Sequence, residues 1–130
     1  MYKCYTSYMS NRRIRRKDAF KIPISSRIYC WDGYSEWYRD LAPEDRMVRW
    51  LYDQPKITQK VKEAFTKHYL AKLNSLKEEG TLDKYVEDLK VRLQYEDVFL
   101  LCYETPKKFC YRHILAEFLN KHYDLDIQEY

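Results

Sequence analysis

The chain has little of what loosens, staples or anchors a protein. Only 2 Gly and 4 Pro occur in 130 residues, which excludes collagen-like and low-complexity classes. No uncharged apolar run approaches the ~18 residues that a membrane span needs. No apolar stretch follows the N-terminus, so neither a membrane anchor nor a secretory signal is expected. The cysteines, Cys4, Cys30, Cys102 and Cys110, form no Cys-x-x-Cys pair. The expectation is therefore a reducing, cytoplasmic setting with thiols rather than disulfides. His68, His113 and His122 add no zinc-ligand spacing to them, so no metal and no other cofactor is expected.

What is present suits one folded domain spanning residues 1–130. A chain of this length buries roughly two thirds of the surface it exposes when unfolded. Aromatic residues reach 17%, with 14 Tyr, enough to fill a core without staples. The net charge of +4 is unevenly spread. Residues 1–21 hold seven basic side chains against Asp18 alone, and the remainder is slightly acidic. The basicity is concentrated in a loop at 11–17, where Arg12, Arg13, Arg15, Arg16 and Lys17 can neutralise nucleic-acid phosphates. The same run also suits a solvated surface loop. Arg in preference to Lys favours bidentate contacts to phosphate or carboxylate.

Periodicity predicts an alternating α/β order. Tyr2 to Tyr8 reads as a strand, and Ile22 to Tyr29 as a second, with Pro23 weakening its start. Residues 30–43 read as a long aromatic loop, turn-marked by Asp32-Gly33. A helix is expected over 44–53 with Met47, Trp50 and Leu51 on one side. Another runs over about 58–77, with Gly80 as its stop. Thr81 is expected to cap a third helix carrying Leu82, Tyr85, Val86, Leu89 and Leu93. Val98 to Cys102 is a continuous apolar run between acids, the signature of a strand buried on both faces. Thr105 and Pro106 are expected to open a last helix, and Asp126 to Glu129 to add a short edge strand. The fold class is a single Rossmann-like, three-layer α/β domain with a small, mainly parallel sheet flanked by helices.

Ligands of such sheets sit outside the carboxyl ends of the strands. Thr6, Ser7 and Tyr8 lie at one such end, and Cys102 and Glu104 at another. Cys110, in the first turns of the expected last helix near Lys107, Lys108 and Arg112, would have a lowered pKa. With Arg112 as an anion fork, this is the recipe for a thiolate nucleophile or a phosphate cradle. Cys110 is equally suited to being a small core residue, and Glu104 to acting as a base or holding Arg112. Trp31, Trp37 and Tyr38 suit stacking on a base or sealing a core edge.

Val98-Phe99-Leu100-Leu101-Cys102-Tyr103-Glu104, followed by Phe109-Cys110-Tyr111-Arg112-His113 and a helix, resembles the C-terminal signature of domain-of-unknown-function family 488. Tyr5-Thr6-Ser7-Tyr8, Ile22-Pro23-Ile24-Ser25 and Leu41-Ala42-Pro43 are similar to its shorter motifs. The resemblance implies a compact α/β domain found mainly in bacteria and their viruses, with a ligand pocket at Cys102, Glu104, Cys110 and Arg112. It carries no settled activity. Where the family usually has His between Cys and Arg, this chain has Tyr111, so a thiol-activating imidazole is absent unless His113 takes its place.

Two functions compete. One is a nucleotide- or nucleic-acid-directed protein with an anion pocket at the end of the buried strand. Its ligand would touch Arg112, Cys102, Thr6, Ser7, Tyr8 and Trp31, with Cys110 or Glu104 supplying any thiol-assisted or acid–base chemistry. The other is a small phage- or bacteria-encoded inhibitor that binds a protein partner through Tyr, Trp and Arg without catalysis.

Overall fold

The computed structural model describes residues 2–28, 33–103 and 109–130. Its strands are β1 (Cys4–Tyr8), β2 (Phe20–Pro23), β3 (Val98–Cys102) and β4 (Gln128–Glu129). Its helices are α1 (Arg12–Arg15), α2 (Asp45–Asp53), α3 (Gln59–Glu78), α4 (Thr81–Arg92) and α5 (Arg112–Tyr123). The strands form one parallel sheet in the order β2-β3-β1-β4.

The apolar run Val98–Cys102 takes the interior position its composition predicts. It pairs with β1 from Cys4 opposite Val98 to Tyr8 opposite Cys102, and with β2 from Phe20 opposite Val98. All of its residues are buried. Side chains alternate across the pleat. Val98, Leu100 and Cys102 enter the larger core, with Phe65, Tyr69 and Leu73 of α3, Leu82, Val86 and Leu89 of α4, and Leu115, Phe118 and Leu119 of α5. Phe99 and Leu101 face the other side, where Ile14 of α1 and Met9 complete a small second core beneath Tyr5, Tyr34 and Tyr130. The sheet is thus flanked by helices as expected, with three long helices in one core and a single helical turn in the other.

Local chemistry explains where the elements depart from expectation. The second strand occupies Phe20–Pro23 rather than 22–29. Ile24 still donates its N–H to Leu101 O at 2.9 Å. The Ser25 hydroxyl then donates to the Arg27 carbonyl, closing a local turn that ends the ladder; Tyr29 lies outside the described residues. The residue before α4 is Gly80 at φ 83°, and Thr81 is the first helical residue rather than the cap. The αL geometry at Gly80 breaks the chain between α3 and α4, which glycine does without steric cost. Trp50, expected on the buried side of α2, is exposed, whereas Leu51 is buried.

The last helix begins at Arg112. Thr105 and Pro106 lie outside the described residues, but Phe109 and Cys110 are already non-helical. They and Tyr111 are committed to packing: Phe109 meets Phe65 edge-on with centroids 5.7 Å apart, and Tyr111 meets Tyr69 at 5.5 Å. The basic segment 11–17 contains α1, capped by Asn11 Oδ1, which accepts from Arg13 N at 3.2 Å. Of the aromatic segment 30–43, residues 33–38 are irregular and a 3-10 turn follows at Arg39–Leu41. Residues 35–38 run along the outer edge of β2. Ser35 N donates to Lys21 O and Tyr38 N to Pro23 O, both at 2.9 Å. They thereby cover an edge that would otherwise present unpaired backbone groups.

Candidate functional site

Two polar arrangements occupy the carboxyl end of the sheet. The first is buried. Arg112, in the first turn of α5, is fully enclosed. Its Nε donates to both carboxylate oxygens of Glu129 at 3.1 Å, its Nη2 to Glu129 Oε2 at 2.9 Å, and its Nη1 to Cys102 Sγ at 3.0 Å. Thr6 Oγ1 donates to the same carboxylate at 2.8 Å. Burial disfavours the guanidinium charge, but Glu129 and the two nearby sulfurs outweigh it and push the Arg112 pKa up. Cys110 Sγ donates to Cys102 Sγ at 2.7 Å.

The expected lowering of the Cys110 pKa is reversed. Burial and its hydrogen bond to Cys102 push the thiol well up, against a smaller opposing pull from Arg112. The helix it was expected to begin starts after it, at Arg112; the Arg112 backbone N–H does reach the sulfur and favours the thiolate, but burial outweighs it. His113 is half-exposed with Nδ1 4.0 Å from Glu129, and partial burial and Arg112 hold its pKa down.

The second arrangement opens to solvent. A crevice of about 470 Å³ lies between the turn after β2, the end of β3 and helix α2. Its lining includes Ser25, Arg27, Arg49, Tyr52, Tyr103 and Tyr111. Tyr111 is fixed by its hydroxyl, which donates to Ile24 O at 3.2 Å. Tyr52 and Tyr103 present about half of their surfaces, at 50% and 42%. Arg27 and Arg49 are exposed, and among the described residues neither has an ion-pair partner. A larger groove of about 660 Å³ along α3 is shallower and draws all but Phe109 of its lining from that one helix.

The family model DUF488-N3a, described as the active DUF488-N3 subclade, matches residues 2–123. The chain belongs to the DUF488 family. No curated protein and no solved structure matches it. In this DUF488 chain the signature residues Cys102, Cys110 and Arg112 do converge, joined by Thr6 and by Tyr8, whose ring centre is 6.0 Å from the guanidinium carbon. None of the five lines the crevice; Thr6 instead lines a separate open groove with His113 and Glu129 against α5. Ser7 is buried on the other side of the sheet and accepts from Asn11 Nδ2 at 3.1 Å. Trp37 donates its indole N–H to Ser25 O at 2.7 Å, anchoring the edge segment to the turn after β2. Trp31 and Glu104 lie outside the described residues.

The basic side chains of α1 and its flank, Arg12, Arg13, Arg15, Arg16 and Lys17, are exposed. Arg13 and Lys17 sit over the Tyr130 ring at 5.1 and 5.2 Å. Lys21 Nζ donates to Arg15 O at 2.8 Å, a cation at the carbonyl end of α1. Among the described residues no three His, Cys, Asp or Glu gather as a metal site. No helix among them is long and apolar enough to cross a membrane.

Sequence reasoning missed Glu129 and most of the crevice. Glu129 stands 17 residues from Arg112, with no local periodicity connecting them. Arg27, Arg49 and Tyr103 come from three separate segments. A usable signal existed at one of them: Ser25-Ser26-Arg27 directly follows a strand end, where ligands of parallel sheets collect.

Proposed function

We propose that this DUF488 protein binds a nucleotide unit in the crevice formed by Ser25, Arg27, Arg49, Tyr52, Tyr103 and Tyr111. The observation that carries the reading is the pairing of two arginines free of ion pairs with three tyrosines at the carboxyl end of a parallel sheet. A phosphate suits the planar guanidinium forks of Arg27 and Arg49. A base suits stacking on Tyr52 or Tyr103. The volume falls in the usual range for small-ligand sites, roughly 300–1,000 Å³. The exposed arginines of α1 extend the same chemistry to a strand, where each further phosphate contact releases counterions. The reading assigns no bond-making step.

Fluorescence anisotropy of nucleoside monophosphates and a single-stranded oligonucleotide across salt concentrations tests it. Replacing Arg27 and Arg49 by Ala should weaken both ligands by about tenfold or more, since a hydrogen bond to a charged group contributes about 1.5–3 kcal/mol. Replacing Arg12, Arg13, Arg15 and Arg16 by Ala should spare the monophosphate and flatten the salt slope of the oligonucleotide, by about 0.7 per lost phosphate contact. Absence of salt-sensitive binding at low ionic strength rejects the reading. A protein-binding role then gains, because Trp50, Tyr52 and Ile57 are exposed close together in sequence at 36%, 50% and 39%.

A further inference from the structure

Cys102 ends β3 and Cys110 precedes α5, and their sulfurs lie 2.7 Å apart. Both are free thiols, exposed by 0% and 2%. The two are not equivalent. Cys102 Sγ accepts from Cys110 and, at 3.0 Å, from the Arg112 guanidinium, whereas Cys110 donates to Cys102 and accepts from the Arg112 backbone N–H. Enclosure disfavours a thiolate, the reactive form, at either sulfur, and the full guanidinium charge beside Cys102 is the group placed to hold one there. Cys4 is also buried, but among the described residues no second sulfur stands beside it.

We infer that Cys102 and Cys110 form a reversible dithiol–disulfide site adjoining the crevice, with Cys102 as the attacking sulfur, Cys110 as the resolving one, and a small hydroperoxide as the oxidant. The Cys102 thiolate attacks hydrogen peroxide. An S–O bond forms, the O–O bond breaks, and the departing hydroxide takes the proton Cys102 had released and leaves as water. Cys110 sulfur then attacks the sulfenic acid. The S–S bond forms, the S–OH bond breaks, and the hydroxide leaves with the Cys110 proton as a second water. Two thiols thus give two electrons and two protons to one peroxide, yielding one disulfide and two waters. A small dithiol reverses the step by exchange and is itself oxidised to a disulfide. Enclosure selects a small oxidant over bulky disulfides. The chain neighbours of the two sulfurs, Tyr103 and Tyr111, both line the crevice, so the bond would tie together two of its walls. The inference does not depend on what the crevice binds.

The test exposes the reduced full-length chain to hydrogen peroxide and then blocks thiols with N-ethylmaleimide under denaturing conditions. Alkylatable thiols should fall from the four in the sequence to two. Trypsin, cutting after Lys107 or Lys108, should leave a linked pair of peptides carrying Cys102 and Cys110, and dithiothreitol should restore both thiols. Cys110→Ser should stop at a sulfenic acid on Cys102 that dimedone captures. Cys102→Ser should leave Cys110 oxidised at least about tenfold more slowly. The inference is overturned if the wild type keeps four alkylatable thiols, if the new bond involves Cys4 or Cys30, or if Cys102→Ser reacts as fast as the wild type. Mapping the wild-type bond needs no variant, so a substitution that fails to fold does not spoil the test.

Discussion

At the scale of single residues, Arg112 changes meaning between sequence and structure. Its spacing from Cys110 suggests an anion fork, yet the anion it holds is Glu129 of its own chain. The prediction moves accordingly from ligand binding to stability. Arg112→Ala should destabilise the fold by about 2–4 kcal/mol in urea denaturation, toward the lower part of the range for breaking buried pairs. The discount reflects Glu129, whose side chain is 34% exposed and can rehydrate. Arg112→Lys should recover little, because an ammonium cannot fork across a carboxylate and reach Cys102 as well. A variant within about 0.5 kcal/mol of wild type would show that the pair is dispensable. Asp88 supplies a pH signature. Partial burial raises its carboxyl pKa, but hydrogen bonds from Tyr38 and Arg92 outweigh this and hold it below the ordinary 3.8. The unfolded chain therefore takes up the proton first. Stability from this group is complete above about pH 5 and is lost as the pH falls through the folded-state value. Asp88→Asn should flatten that acid limb of the stability curve; an unchanged limb would assign it to other carboxylates. Only Arg92, four residues from Asp88 on α4, was within reach of the sequence; Arg112 with Glu129 and Tyr38 with Asp88 meet only after the sheet has formed.

At the scale of elements, legibility follows how local the determinant is. The long helices α3 and α4 emerge close to their expected bounds because their apolar stripes recur at helical spacing. β2 and the start of α5 do not, because a turn closed by Ser25 and an aromatic seat for Phe109 and Tyr111 decide them. The short strand β4 depends on Asn120, whose side chain imitates a backbone pair. Its Nδ2 donates to Ile127 O at 3.0 Å and its Oδ1 accepts from Ile127 N at 2.8 Å. Asn120→Ala should cost about 1–3 kcal/mol by orphaning these groups. It should also combine non-additively with Arg112→Ala, since both loosen Glu129. Strict additivity in a double-mutant cycle would separate β4 from the buried pair. The cover over β2 is held similarly, by the Tyr38 hydroxyl donating to Asp88. Tyr38→Phe should cost about 1 kcal/mol and speed amide exchange at Lys21, with β3 unaffected. Unchanged exchange at Lys21 would show that the backbone bonds alone secure the edge.

At the scale of the whole molecule, the sheet order places one strand where sequence reasoning expected it, and the rest is arranged around it. β3 lies between β1 and β2 and is buried on both faces, so amide exchange should be slowest from Phe99 to Cys102. Rapid exchange there would contradict the topology. The same order gathers the ends of β2 and β3 beside α2, and this assembles the crevice from segments that are distant in the chain. Its position was legible as a rule about strand ends; its residues were not, because Arg27, Arg49 and Tyr103 carry no shared pattern. The central claim is that this crevice receives a nucleotide, and an NMR titration tests it most directly. Isotope-labelled protein would be titrated with a nucleoside monophosphate and, separately, with ribose 5-phosphate, which has the phosphate but no base. The account predicts saturable shifts at Ser26, Arg27, Arg49 and Tyr103 with both ligands, with tighter binding and larger ring-current shifts for the nucleotide. Unshifted crevice amides at millimolar nucleotide, or shifts confined to Arg12–Lys17, would contradict it.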